Sequence, residues 1–160
     1  MALSNLANML QGSHYDCLIL VDPHSQVLDE TIKQANDMGL TVAELSKELS
    51  KSLMDVSMND RARFADKWVL EYLTSFQPGP IICAHTDLLF EPQLNVDPIA
   101  LFRQAARITK IVILWLGDLS KDVLFYAAPS HKHYRTWRIS DLLTHQPELV
   151  IKRIASMQGG

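Results

Sequence analysis

Little in this 160-residue chain could cross-link it or draw it out of water. Its two cysteines, Cys17 and Cys83, each sit inside an apolar run. That excludes a disulfide framework or a zinc ligand set and predicts two small core residues. No stretch approaches the roughly 18 to 20 apolar residues that span a bilayer; the run Ile111 to Leu116 falls far short. The opening MALSNLANML lacks the basic flank and continuous apolar stretch of a signal peptide. A reducing, cytoplasmic setting without membrane contact is the expectation. Charge of one sign is scarce as well: 15 Lys and Arg against 18 Asp and Glu leave a net charge of −3. That total offers no global electrostatic case for nucleic acid.

The distribution of that charge is less even than its sum. Residues 1 to 100 hold 6 basic and 14 acidic side chains, whereas residues 101 to 160 hold 9 and 4. Such asymmetry hints at a charged partner or at complementarity between the two halves. The length fits a single domain, 1–160, and neither a repeat nor a low-complexity linker divides it.

Hydrophobic periodicity places the elements. Leu3, Leu6, Ala7 and Leu10 recur at helical spacing, predicting a short helix over 2–11 whose leucines form an exposed stripe for self-association or a partner. Cys17 to Val21 is five apolar residues bounded by Asp16 and Asp22-Pro23, which reads as a strand buried on both faces. Ser25 is placed to cap a helix with Leu28, Ile32 and Ala35 inward, stopped near Gly39. A short strand at Leu40 to Val42 and helices over Ala43 to Leu53 and Asp60 to Phe76 follow. The last of these carries Phe64, Trp68, Val69 or Leu70, and Leu73 inward. Pro80 to Cys83 and Ile111 to Trp115 are further buried strands with a helix over Pro98 to Arg107 between them, and Val123 to Tyr126 is a weaker strand. Ser140 is read as the cap of a helix with Leu142 and Leu143 inward, broken at Pro147, and Leu149 to Met157 as another, so the C-terminal part, 140–157, is expected helical around a core of about 16–138.

Strands alternating with helices predict an α/β fold: a compact, P-loop-NTPase-like open sheet, mostly parallel, with helices on both faces. Ligands on such sheets sit beyond the carboxyl ends of strands, which singles out Asp22 to Gln26, Ala84 to Phe90 and Leu116 to Lys121. A phosphate-binding loop there needs glycines for close backbone approach, a Lys for the outer phosphates and a Ser or Thr for magnesium. The chain instead reads Asp22, Pro23, His24, Ser25, Gln26, Val27, Leu28, Asp29, with carboxylates at the first glycine and hydroxyl positions and Leu28 at the lysine. Ala84 stands where the second buried strand would end in an acidic magnesium ligand, followed by His85, Thr86 and Asp87, and Asp87 reads as a surface or capping carboxylate. A receiver domain would need a lysine after the strand that ends at Leu116-Gly117, and none is there.

The ordered series Leu18-Ile-Leu-Val21 with a turn of phosphate-loop size, Leu88-Leu-Phe-Glu-Pro92, Asp97-Pro-Ile-Ala-Leu-Phe102, Ala106-Arg107, Ile111 to Gly117 and Tyr126-Ala-Ala-Pro-Ser-His-Lys-His-Tyr-Arg135 resembles BrxF, the small P-loop protein of type 3 BREX phage-defence islands. The resemblance spans roughly residues 16 to 138. It implies a P-loop-type fold and a place in a bacterial anti-phage system beside larger ATPases, methyltransferases or nucleases. That family carries an intact glycine-rich loop with Lys and Thr and an acidic second-strand terminus. This chain departs at Asp22, Val27, Leu28 and Asp29 and again at Ala84. The resemblance therefore implies a divergent member with degenerate nucleotide-binding motifs, no catalytic residues and no cofactor.

One segment remains as a candidate contact surface. Between Ser130 and Arg138, the fixed charges of Lys132, Arg135 and Arg138 and the titratable His131 and His133 interleave with Tyr134 and Trp137. Basic plus stacking residues suit phosphate and base contacts, so a nucleic-acid-binding module is the alternative reading; a solvated loop with aromatics covering the core is the blander one. His131 and His133 lack a third metal ligand nearby in sequence. Arg103 and Arg107 fit a helix C-terminus better than a trans-acting finger. The leading expectation is a non-catalytic, P-loop-derived assembly or regulatory subunit with other defence-system proteins as partners and homo-oligomerisation as a further option. A small ATPase with altered motifs stands third, and a hydrolase using His85 and Asp87 lacks a nucleophile beside them.

Overall fold

The computed structural model describes residues 5–11, 14–127, 131–142 and 148–154. Helix α1 (Asn5–Gln11) leads into strand β1 (Cys17–Asp22) and helix α2 (Ser25–Asp37); β2 (Thr41–Glu44), α3 (Leu45–Leu53) and α4 (Arg61–Thr74) follow. Next come β3 (Ile81–Ala84), α5 (Pro98–Ala105), β4 (Ile111–Ser120), β5 (Val123–Tyr126), β6 (Arg135–Arg138), the single turn α6 (Ile139–Leu142) and β7 (Leu149–Arg153).

Five strands form a parallel ladder in the order β2-β3-β4-β1-β7, and β5 and β6 add antiparallel to the far end of β4. This is the expected α/β architecture, a mostly parallel open sheet consistent with a P-loop-like fold. Period-two side-chain alternation splits β1 between two cores. Cys17, Ile19 and Val21 face α3, α4 and α5, while Leu18 and Leu20 face α1 and α2, so helices cover both faces. Parallel strands buried on both sides read as unbroken apolar runs, which is why β1, β3 and β4 were visible in the sequence. Gly39 takes a left-handed φ of 76° just past α2, the conformation its position predicted.

Four expectations need correction. Leu149 to Met157 is not a helix: Leu149–Arg153 is β7, pairing in parallel with Cys17–Val21, and Met157 lies outside the described residues. Three consecutive branched apolar residues there are equally good strand formers once β1 offers an unpaired edge. The helix at Ser140 begins at Ile139, with the Ser140 amide and hydroxyl both donating to Asp122; Leu143 and Pro147 are outside the described residues. The stripe on α1 is not exposed: Leu6 is fully buried and its amide donates to Gln34 Oε1 on α2 at 2.8 Å, with Leu10 half-buried and Leu3 outside the described residues. On α4 the buried row is Ala65, Val69 and Leu73, and Phe64, Trp68 and Leu70 are half-buried flanks. No helix among the described residues is long and apolar enough to cross a membrane.

Candidate functional site

The chain leaving β1 crosses to the β2 edge, whereas the chain leaving β4 ends beyond β1 at β7. Diverging connections open a crevice at the carboxyl ends of such strands. A cleft of about 960 Å³ lies there, bounded by the start of α2, the end of β3, the β4–β5 hairpin and residues 131–134. Its volume falls in the range of small-ligand sites. All three segments singled out by strand polarity contribute to it: Pro23 and Ser25 from the first, followed by Leu28 and Asp29 of α2, His85, Thr86 and Asp87 from the second, and Leu116 to Ser120 from the third, which was expected to be a loop but continues β4 because it pairs with β5.

The β1–α2 turn differs from the expected phosphate-loop size. Two residues, Pro23 and His24, separate β1 from α2, so Ser25, Gln26, Val27, Leu28 and Asp29 are already helical. The Asp22 carboxylate makes this possible: its Oδ1 accepts the His24 amide at 2.8 Å and faces His24 Nδ1 at 3.2 Å. The Val27 amide donates in turn to the His24 carbonyl. His24, rather than Ser25, is the cap residue, and no side chain caps the helix. Leu28 and Ile32 face inward as expected, half-buried against the α1/α2-side core, and they also line the cleft.

At the end of β3, the Ala84 methyl is fully buried in the α1/α2-side core. His85 adopts φ 51°, the left-handed region that a non-glycine residue rarely enters. This turns its ring toward Glu44 at the end of β2, where Nδ1 hydrogen-bonds the carboxylate, and places Nε2 4.0 Å from Asp29. Asp87 opens a 3₁₀ turn and accepts the Ser46 hydroxyl at 3.2 Å, and that hydroxyl accepts the Leu88 amide. Asp87 is thus a surface carboxylate that caps no helix, and it also lines the cleft.

Of the 130–138 segment, Ser130 lies outside the described residues and 131–138 is split between two surroundings. His131, Lys132, His133 and Tyr134 line the cleft. Along β6, Arg135 and Trp137 are half-buried while Thr136 and Arg138 are exposed, as strand alternation requires. Trp137 packs edge-on to Trp115 (5.3 Å) and Phe90 (5.9 Å), beside the Phe90–Tyr126 stack at 3.5 Å. Arg135 donates to the Val96 carbonyl at 3.0 Å and lies over the Trp137 ring; Arg138 sits 4.0 Å from Asp122. Lys132 Nζ is 3.6 Å from Glu91, and His133 Nε2 is 2.9 Å from the same carboxylate. The hydrogen bond from His133, followed by the charge of Lys132, holds the Glu91 carboxyl below its ordinary value. The basic and aromatic side chains therefore divide between the cleft and strand β6 rather than forming one continuous face. His131 Nδ1 accepts the His133 amide, and no group of three His, Cys, Asp or Glu among the described residues is placed to hold a metal ion.

Other functional candidates were missed in the sequence. Glu44 and Ser46 belong to the β2–α3 junction, passed over because β2 was read as ending at Val42; the rule that strand ends bear ligands applies there too. Phe125 and Tyr134, stacked at 6.3 Å, form a wall that exists only once β5 folds back on β4. Burial, with the Asp87 charge adding to it, raises the pKa of the Tyr126 phenol, so that hydroxyl stays protonated in the cleft. No protein-family model, curated protein or solved structure matches the chain.

Proposed function

We propose that the chain is a non-catalytic, P-loop-derived assembly or regulatory subunit of a bacterial anti-phage defence system. The observation that carries the non-catalytic half is the two-residue β1–α2 turn closed by Asp22. A phosphate loop works because several free backbone amides surround an anion at a helix N-terminus. Here the protein's own carboxylate takes one of those amides and sets a negative charge where a phosphate would sit. Asp29, one turn into α2, adds a second like charge, and Ala84 removes the acidic magnesium ligand from β3. The defence context rests on the resemblance to BrxF.

Calorimetric titration of the chain with ATP and magnesium tests the reading. No heat of binding is expected, and micromolar affinity or turnover would overturn it. Co-purification from the native host is expected to recover other defence proteins; recovery of the chain alone counts against the subunit role. The nucleic-acid alternative is weakened because Trp137 and Arg135 are engaged within the fold.

A further inference from the structure

We propose that the cleft at the carboxyl ends of β1, β3 and β4 binds an organic cation carried on an apolar or aromatic body, an amine, amidine or guanidinium. The floor is aliphatic, built by Leu28, Ile32, Leu114 and Leu116, and one wall is the Phe125–Tyr134 stack. That surface is predominantly apolar, so a ligand gains by burying an apolar body against it. An aromatic wall also suits a cation, through the negative face of its rings.

The charges over this floor choose the sign of the ligand. Asp29 and Asp87 stand at the α2 and β3 sides of the cleft. Asp29 is 69% exposed on its side chain and faces His85 at 4.0 Å. Asp87 accepts one hydrogen bond, from Ser46. A carboxylate offers about four acceptor positions, so both retain capacity for N–H donors. The third lining carboxylate, Asp118, is engaged by Arg153 at 3.2 Å, and the cleft's lysine, Lys132, is exposed and faces Glu91 at 3.6 Å. An entering anion would meet two carboxylates against that single lysine. An entering cation meets the same two across a low-dielectric wall that focuses their field. Since no set of three ligating side chains gathers among the described residues, a bare metal ion is the poorer fit and the charge is best supplied by nitrogen on a larger body. The cleft-lining residue His133 also carries a buried Nδ1 with no hydrogen-bond partner, while its Nε2 pairs with Glu91.

A matched probe series tests this without any variant: benzamidine, benzamide and benzoate, titrated into the full chain labelled with ¹⁵N. Benzamidine is expected to shift the amides of His85, Asp87 and Gly117 with an affinity on the order of millimolar, typical of a fragment with few atoms. Benzamide should bind about two- to fivefold more weakly, the worth of a partly exposed charge pair, and benzoate should leave those amides unmoved. In the double variant Asp29→Asn, Asp87→Asn, benzamidine should weaken to the level of benzamide while the melting curve stays in place, because both side chains are exposed. A short blocked peptide bearing one arginine between leucines distinguishes the source of the cation: tighter binding than benzamidine marks a partner's basic side chain, and weaker binding a free small molecule. Benzoate binding as well as benzamidine, shifts confined to other parts of the chain, or a charge preference that survives the double variant would overturn the proposal. None of these outcomes depends on whether a defence partner is recovered, so this inference and the proposed function fail separately.

Discussion

Gly117 decides whether the cleft can exist. It pairs with Tyr126 where β4 turns into the β4–β5 hairpin, and a Cβ there would lie inside the Phe125 carbonyl and crowd Trp115 Nε1. Both obstacles are fixed, because Trp115 Nε1 donates to that same carbonyl at 2.8 Å. Gly117→Ala is therefore expected to destabilise the fold by about 1 to 3 kcal/mol, the usual cost of overpacking, read as a lower urea midpoint. An unchanged midpoint would mean that the hairpin shifts freely. The two thiols give a second residue-level outcome. Burial pushes the Cys83 thiol up to about 12 and raises Cys17 as well, with the neighbouring Cys83 adding to the effect on Cys17. A raised thiol pKa keeps the unreactive protonated form through neutral and mildly alkaline pH. Native protein at pH 8 should thus resist a thiol-specific disulfide reagent, with both groups reacting only on unfolding; fast native labelling would contradict their burial. The sequence suggested this much, since each cysteine sits in an apolar run, but it held no sign of His85's left-handed backbone or its bond to Glu44. Those partners are 41 residues apart.

Elements were legible in proportion to how completely their own residues specify them. Strands β1, β3 and β4 announce themselves because a parallel strand must be apolar on both faces. Helix α5 does so through Pro98 at its first position, and the structure adds the Asp97 carboxylate, which accepts the Ala100 amide at 3.2 Å. Helix α1 and strand β7 are different, since each is defined by the surface it lands on. α1 has seven residues, too few to stand alone, and owes its place to α2. Leu6→Ala should accordingly cost about 2 to 5 kcal/mol, as for a buried leucine, and lower the melting temperature without changing the oligomeric state in light scattering. A changed oligomer with unaltered stability would restore the exposed-stripe reading. β7 is the counterpart at the other end: the same residues satisfy helical or extended periodicity, and the free edge of β1 selects the strand.

The whole molecule is organised by β1, which lies between β4 and β7 and carries both cores. Ending the chain after residue 142 would strip β7 from that central strand and leave its backbone groups unpaired. Such a truncation is expected to lose cooperative unfolding in far-ultraviolet circular dichroism. A cooperative melt from the shorter form would show β7 to be dispensable. Little of the contrast between the early acidic and late basic halves is cancelled by these pairs: Lys132 reaches back to Glu91, whereas Arg153 pairs with Asp118 and Arg138 lies near Asp122 within the late half itself. Composition and periodicity sufficed for the fold class, the buried strands and the place where a ligand would sit, because burial on two faces and strand polarity act through each residue's own chemistry. They also sufficed to exclude the ordinary phosphate loop. The length of the β1–α2 turn, the strand at β7, the division of the 130–138 segment and the union of four distant segments around one cleft depended on which surfaces met. Contacts between residues tens of positions apart carry no period along the chain, and only the closed sheet brings them together.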